Sequence, residues 1–182
     1  MKNKISKILI TMGLLIIIGS LILITYSKYM ENKALSSFEE KIERQEVITE
    51  VNPGDEIGII EIKSVNLKNV IVESTDKKYL NHHVCHFENS AMPGEDGNFA
   101  LAGHSSTYYY NQVFNELHKV KIGDEIIIKT INDEFTYTIT ETIVVESDEI
   151  EVLDQDMTKK EITLATCTNG GKQRFIVKGE VL

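Results

Sequence analysis

Cys167 closes a β-type run, Glu161-Ile-Thr-Leu-Ala-Thr-Cys167, and Thr-Asn-Gly-Gly follows it. A thiol at a strand tip beside a glycine turn is open to a substrate. Seven positions later Arg174 begins a second run, Arg-Phe-Ile-Val-Lys-Gly-Glu-Val-Leu. If the two runs are neighbouring strands, the turn returns the guanidinium to the side of the thiol. There it can lower the thiol pKa and hold negative charge that develops on a carbonyl oxygen. The same spacing fits an inert core cysteine with an arginine on a nearby surface.

A third residue enters from Gly97-Asn-Phe-Ala-Leu-Ala-Gly103-His104, a short apolar run that ends in Gly-His. A neutral imidazole there can take a thiol proton, and a protonated one can give a proton to a leaving amine. A surface loop histidine is the plainer alternative. Together Cys167, His104 and Arg174 are a sufficient set for acyl transfer.

The elements that must position these residues read as short strands. Ile57–Ile62, Val70–Glu73, Asn98–Ala102, Glu125–Thr130, Glu134–Val145, Glu161–Thr166 and Arg174–Val181 are β-rich, with turn signals between them. About seven such runs predict a barrel or sandwich. Thr107–Val120 is the helix candidate between strands. Upstream, residues 29–52 are polar and helix-prone, with Leu35, Phe38 and Ile42 at helical spacing. They read as a stalk that ends at the turn cluster Asn52-Pro53-Gly54-Asp55.

Ile8 to Ser27 is a run of 20 residues without a charge. At about 1.5 Å per residue it spans roughly 30 Å, a bilayer core. It is longer than a signal-peptide core, and the flank Thr-Tyr-Ser-Lys-Tyr-Met is a poor cleavage site. A retained anchor is predicted, with the preceding lysines keeping the N-terminus inside and the rest of the chain outside. The expected division is 1–28 anchor, 29–55 stalk and 56–182 catalytic domain.

Charge excludes one class of partner. The net charge is −9, and the four basic residues of 1–28 leave 15 basic against 28 acidic residues beyond, a net of −13. An acidic body does not suit nucleic acid. Two cysteines cannot make a dense disulfide framework.

Thr163-Leu-Ala-Thr-Cys167 resembles the TLxTC signature of the sortase family. Ser90-Ala-Met-Pro-Gly-Glu-Asp-Gly-Asn-Phe-Ala-Leu-Ala-Gly-His104 resembles the segment leading to the sortase histidine, and Arg174-Phe-Ile-Val the start of the strand carrying its arginine. The weaker pieces Gly58-Ile-Ile-Glu-Ile and Phe114–Ile128 agree, so the resemblance covers about 56–182. It implies an all-β, eight-stranded barrel and a cysteine transpeptidase, with Cys167 as nucleophile, His104 as general acid/base and Arg174 as oxyanion stabiliser. Ala102 and Thr166 are expected to meet the substrate. That substrate would be a secreted protein bearing an LPxTG-like sorting signal, cut between Thr and Gly and passed to a cell-wall amine. No organic cofactor is implied. The chain lacks the Asp-Pro aromatic lid and the C-terminal span of pilin-building members. The 146–160 stretch is too short for the long helix of another class. The expectation is class D, with A or E as alternatives.

Other clusters compete for attention. His82, His83, Cys85 and His86 match no zinc spacing. Asp148, Glu149, Glu151, Asp154 and Asp156 suit calcium chemically but lack a fixed ligand spacing. Cys85 stands where the family often has glycine and is expected to be a separate structural thiol. Two rival readings are a membrane-tethered barrel that only binds, with a degenerate site, and an L,D-transpeptidase. The latter's Ser-x-Gly-Cys pattern is absent.

Overall fold

The apolar run and the stretch after it form one helix, α1, Lys2–Glu43. The computed structural model describes residues 2–48, 50–105 and 113–181. In the apolar part three hydroxyls turn back on their own helix. Thr11 Oγ1 donates to Lys7 O at 2.8 Å, Ser20 Oγ to Ile17 O at 2.8 Å and Thr25 Oγ1 to Leu21 O at 2.7 Å. Each of these hydroxyl protons is thereby satisfied within the helix. The helix stops at a left-handed residue, Gln45 (φ 48°). Glu46 N–H donates to Lys41 O and Gln45 N–H to Ile42 O, which uses up carbonyls the helix end would otherwise leave unpaired.

The β-rich remainder closes into a barrel of eight strands: β1 Glu56–Ile62, β2 Leu67–Glu73, β3 Val84–His86, β4 Gly97–Ala102, β5 Glu125–Lys129, β6 Glu134–Glu146, β7 Lys160–Thr168 and β8 Gln173–Glu180. The order round the barrel is β1-β2-β3-β4-β7-β8-β6-β5, returning to β1. β2/β3 and β4/β7 are parallel pairs, and the others are antiparallel. Closure leaves no open sheet edge to aggregate. Ile60, Ile71, Leu101, Ile128, Leu164 and Val177 fill the interior.

Seven of these strands are the predicted ones within a few residues. The eighth, β3, is three residues long and too short to show alternation. It takes in Cys85 and His86, which belong to none of the predicted strands. A short helix, α2, Lys77–Leu80, leads into it. The helix expected over 107–120 is not seen in its described part, where 113–116 is turn and Leu117–Lys119 a 3-10 turn. Residues 107–112 lie outside the described residues.

The predicted stalk packs on the barrel. Phe38 is fully buried among Ile59, Val70, Val72 and Ile131, with Leu35 and Ile42 alongside. Around this apolar contact Lys41 Nζ meets Glu56 Oε2 at 2.9 Å and Lys68 Nζ meets Glu39 Oε1 at 2.6 Å.

Candidate active site

The turn after Cys167 is built from three successive left-handed residues, Asn169 (φ 48°), Gly170 (φ 65°) and Gly171 (φ 87°). Asparagine and glycine accept that conformation with little strain. The chain therefore reverses within Asn169–Lys172 and returns as β8. Cys167 and Arg174 become direct cross-strand partners in the β7–β8 ladder. Cys167 is half-buried and carries a free thiol. The Arg174 guanidinium lies on the turn, where Nη1 donates to Gly171 O at 2.9 Å and Gln173 O at 3.1 Å.

His104 arrives from β4, which runs parallel to β7 with Ala102 paired to Ala165. The chain on both sides of His104 is bonded to the chain around Cys167. Gly103 N–H donates to Ala165 O at 3.2 Å, and Thr166 Oγ1 donates to Gly103 O at 2.7 Å. On the far side the Ser105 hydroxyl donates to Cys167 O. Residue 103 must be glycine for a packing reason: a Cβ there would come within 2.7 Å of Val113 and Phe114. Phe114 N–H in turn donates to His104 O at 2.9 Å. Burial holds the His104 imidazole below its ordinary pKa, because desolvation disfavours its charged form. A neutral ring is the form that can take a thiol proton.

Ala102 is half-buried at the end of β4. Thr166 is only 5% exposed, and its hydroxyl is committed to Gly103 O. Its side chain thus ties β7 to the His104 segment, so contact with a substrate would fall to its backbone. Ser105 has no spacing signal in the sequence that links it to the Cys167 carbonyl.

Cys85 is fully buried on β3. Burial, reinforced by the Glu73 carboxylate, pushes its thiol up to about 12. It pairs with Ala102, which pairs with Ala165. Two strand spacings of about 4.8 Å separate it from β7, well beyond the roughly 4.4–6.8 Å Cα distance of a disulfide. His86 bonds Glu73 Oε2 through Nδ1 at 2.7 Å, and its Nε2 lies 2.9 Å from Ser90 Oγ and 3.1 Å from Ala91 O. This buried chain ties β2, β3 and the loop before β4 together. Among the described residues no three His, Cys, Asp or Glu gather as a metal site.

Comparison with known proteins agrees with this geometry. The sortase domain family matches residues 60–182. Sortase D of Bacillus subtilis (strain 168) is 32% identical over 132 residues, covering 70% of this chain and 64% of the relative. Sortase A of Bacillus anthracis is 35% identical over 129 residues, covering 69% and 60%. The matched part thus spans less than two thirds of these relatives' length. Among solved structures, a Clostridium perfringens Sortase D5 transpeptidase superposes with a TM-score of 0.76 at 40% identity, covering 84% of this chain and 98% of that one. A Clostridium perfringens sortase C with the C-terminal cell wall sorting motif gives 0.67 at 26% identity, covering 82% and 86%. A closed eight-stranded barrel, the Thr-Leu-Ala-Thr-Cys strand end and a match over most of the chain place it in one family: this protein belongs to the sortases.

Proposed function

We propose that the chain is a membrane-anchored cysteine transpeptidase that acts on an LPxTG-like sorting signal at the cell surface. The observation that carries this reading is the double tie between the backbone flanking His104 and that flanking Cys167, with Arg174 opposite the cysteine. In the reaction His104 takes the Cys167 proton, and the sulfur attacks the carbonyl carbon of the Thr–Gly bond. Arg174 leaves the turn carbonyls of Gly171 and Gln173 to hold the oxyanion. When the tetrahedral species collapses, the C–N bond breaks and the imidazolium gives its proton to the departing Gly amine. The thioester on Cys167 is then taken by an amine of a cell-wall precursor, or by water. Ala102 and the Thr166 backbone line the approach to the thiol.

These steps draw on no organic cofactor and assign no role to calcium on the acidic 148–156 loop. α1 supplies the anchor, since its apolar part is long enough to cross a bilayer and its large apolar side chains there are exposed. The N-terminus is inside and the barrel outside. Incubation with a sorting-signal peptide and an amine tests the reading. Cleavage after Thr with an amine-linked product is expected, and an intact peptide would refute it. Intact peptide that is nonetheless bound would favour the binding-only barrel.

A further inference from the structure

We infer that the barrel is held with its catalytic rim toward the bilayer. This rests on the anchor reading above and adds an orientation to it. The strand directions define the rim. β1, β4, β6 and β7 all end at one end of the barrel, and β2, β3, β5 and β8 all begin there. That end carries His104, Cys167, Arg174 and the Lys63–Asn66 turn between β1 and β2.

α1 climbs the outside of the barrel from this end. Near its start on the barrel, Glu31 accepts from Asn69 Nδ2 at 3.0 Å, close to the beginning of β2. Near its finish, Lys41 meets Glu56 at the opposite end, where β1 begins. Phe38 is buried between these two contacts. The membrane part of α1 therefore extends beyond the catalytic rim. A cleft confirms how close the parts are: Glu31, Asn66, Asn69, Val113 and Phe114 line it together, and Phe114 bonds His104.

The height follows from the helix. Glu31 lies four residues past Ser27, about 6 Å along the axis, which is roughly the thickness of one headgroup layer. Two turns of this rim, one before β2 and one before β5, fit that surface. Lys63 and Lys121 are exposed, and Ile122 is 70% exposed beside Lys121. The Ser64 hydroxyl of the first turn helps hold the Asp124 carboxyl of the second below its ordinary pKa. Lys63 and Lys121 offer positive charge to lipid phosphates there, beside the acids Asp124 and Glu125, and Ile122 offers an apolar side chain to the bilayer surface. The partner surface is thus phospholipid headgroups, and the enzyme works on chains that pass close to the membrane.

The chain has no tryptophan, so a single one reports its own position. Full-length Ile122→Trp and Asp96→Trp proteins, the second on the opposite rim, are reconstituted in phosphatidylglycerol/phosphatidylcholine vesicles with headgroup nitroxide lipid. With the rim about 6 Å above the acyl boundary, emission from the Ile122→Trp protein should fall about twofold or more, and that from Asp96→Trp should hold. Equal quenching, or the reverse order, overturns the orientation. Protein that does not float with the vesicles overturns the anchor, and the orientation with it. Four alanines inserted after Lys28 should lift the rim about 6 Å and relieve the quenching. The rate on a soluble sorting-signal peptide should stay at the wild-type value. Wild type inactive on that peptide would count against the transpeptidase reading alone.

Discussion

Cys167 and Arg174 are directly opposed residues of the β7–β8 ladder, yet the guanidinium donates to Gly171 O and Gln173 O in the turn rather than into the space over the thiol. Both acceptors are backbone carbonyls close to the Arg174 Cα, so the side chain can exchange them for a substrate oxyanion without moving a strand. The planar fork matters as much as the charge. Arg174→Lys should lower kcat for peptide cleavage by about 10²–10³. Steady-state rates of the two proteins check it, and equal kcat would make Arg174 structural.

Burial of His104 has a signed pH consequence. Its folded pKa lies below the ordinary value of 6.5, so the unfolded chain binds the proton more readily. Above that ordinary value the ring is neutral in both states and contributes nothing. As pH falls through it, the unfolded state gains the proton first and stability declines, until the folded pKa is passed. An NMR titration of the His104 ring should give a midpoint below 6.5. In the His104→Gln protein this component of the acid-side loss of stability should disappear, and a midpoint above the ordinary value would contradict the burial argument.

Thr166 is expected to act through position. Thr166→Val keeps the shape but leaves Gly103 O without its donor, which costs about 1–3 kcal/mol for a buried acceptor. Since that bond fixes the residue before His104, kcat should fall more than KM rises, and Thr166→Ser should restore most of it. Thermal melts with paired kinetics separate this from a substrate contact, which would show first in KM.

The helix docking gives a separate test. Phe38 is fully buried against β1 and β2. Phe38→Ala should destabilise by about 3–5 kcal/mol if the helix stays docked, and by less if it lifts off. Urea unfolding of the full chain in detergent measures it. No change would mean that residues 34–42 are a free stalk.

Much of this architecture was legible in the residues. Period-two texture and turn chemistry located seven strands, and the fold brings the Thr-Leu-Ala-Thr-Cys end, the Gly-His pair and Arg174 to one end of the barrel. What escaped has physical causes. A strand as short as Val84–His86 is defined by its neighbours on both sides, not by its own alternation. Leu35, Phe38 and Ile42 announced an amphipathic face, but nothing local says whether that face meets a barrel or water. The ties of Thr166 and Ser105 join segments about sixty residues apart, and such pairings exist only once β4 and β7 lie side by side.

The central claim is that Cys167 forms the acyl-enzyme. Intact-mass and peptide-map spectrometry after mixing the full chain with a sorting-signal peptide measures this directly. The account predicts a mass increase equal to the acyl fragment ending in Thr. It should sit on Cys167 and not on Cys85, be lost on adding an amine, and be absent from a folded Cys167→Ala protein. Peptide cleavage that persists in Cys167→Ala, or an adduct on any other residue, would contradict it.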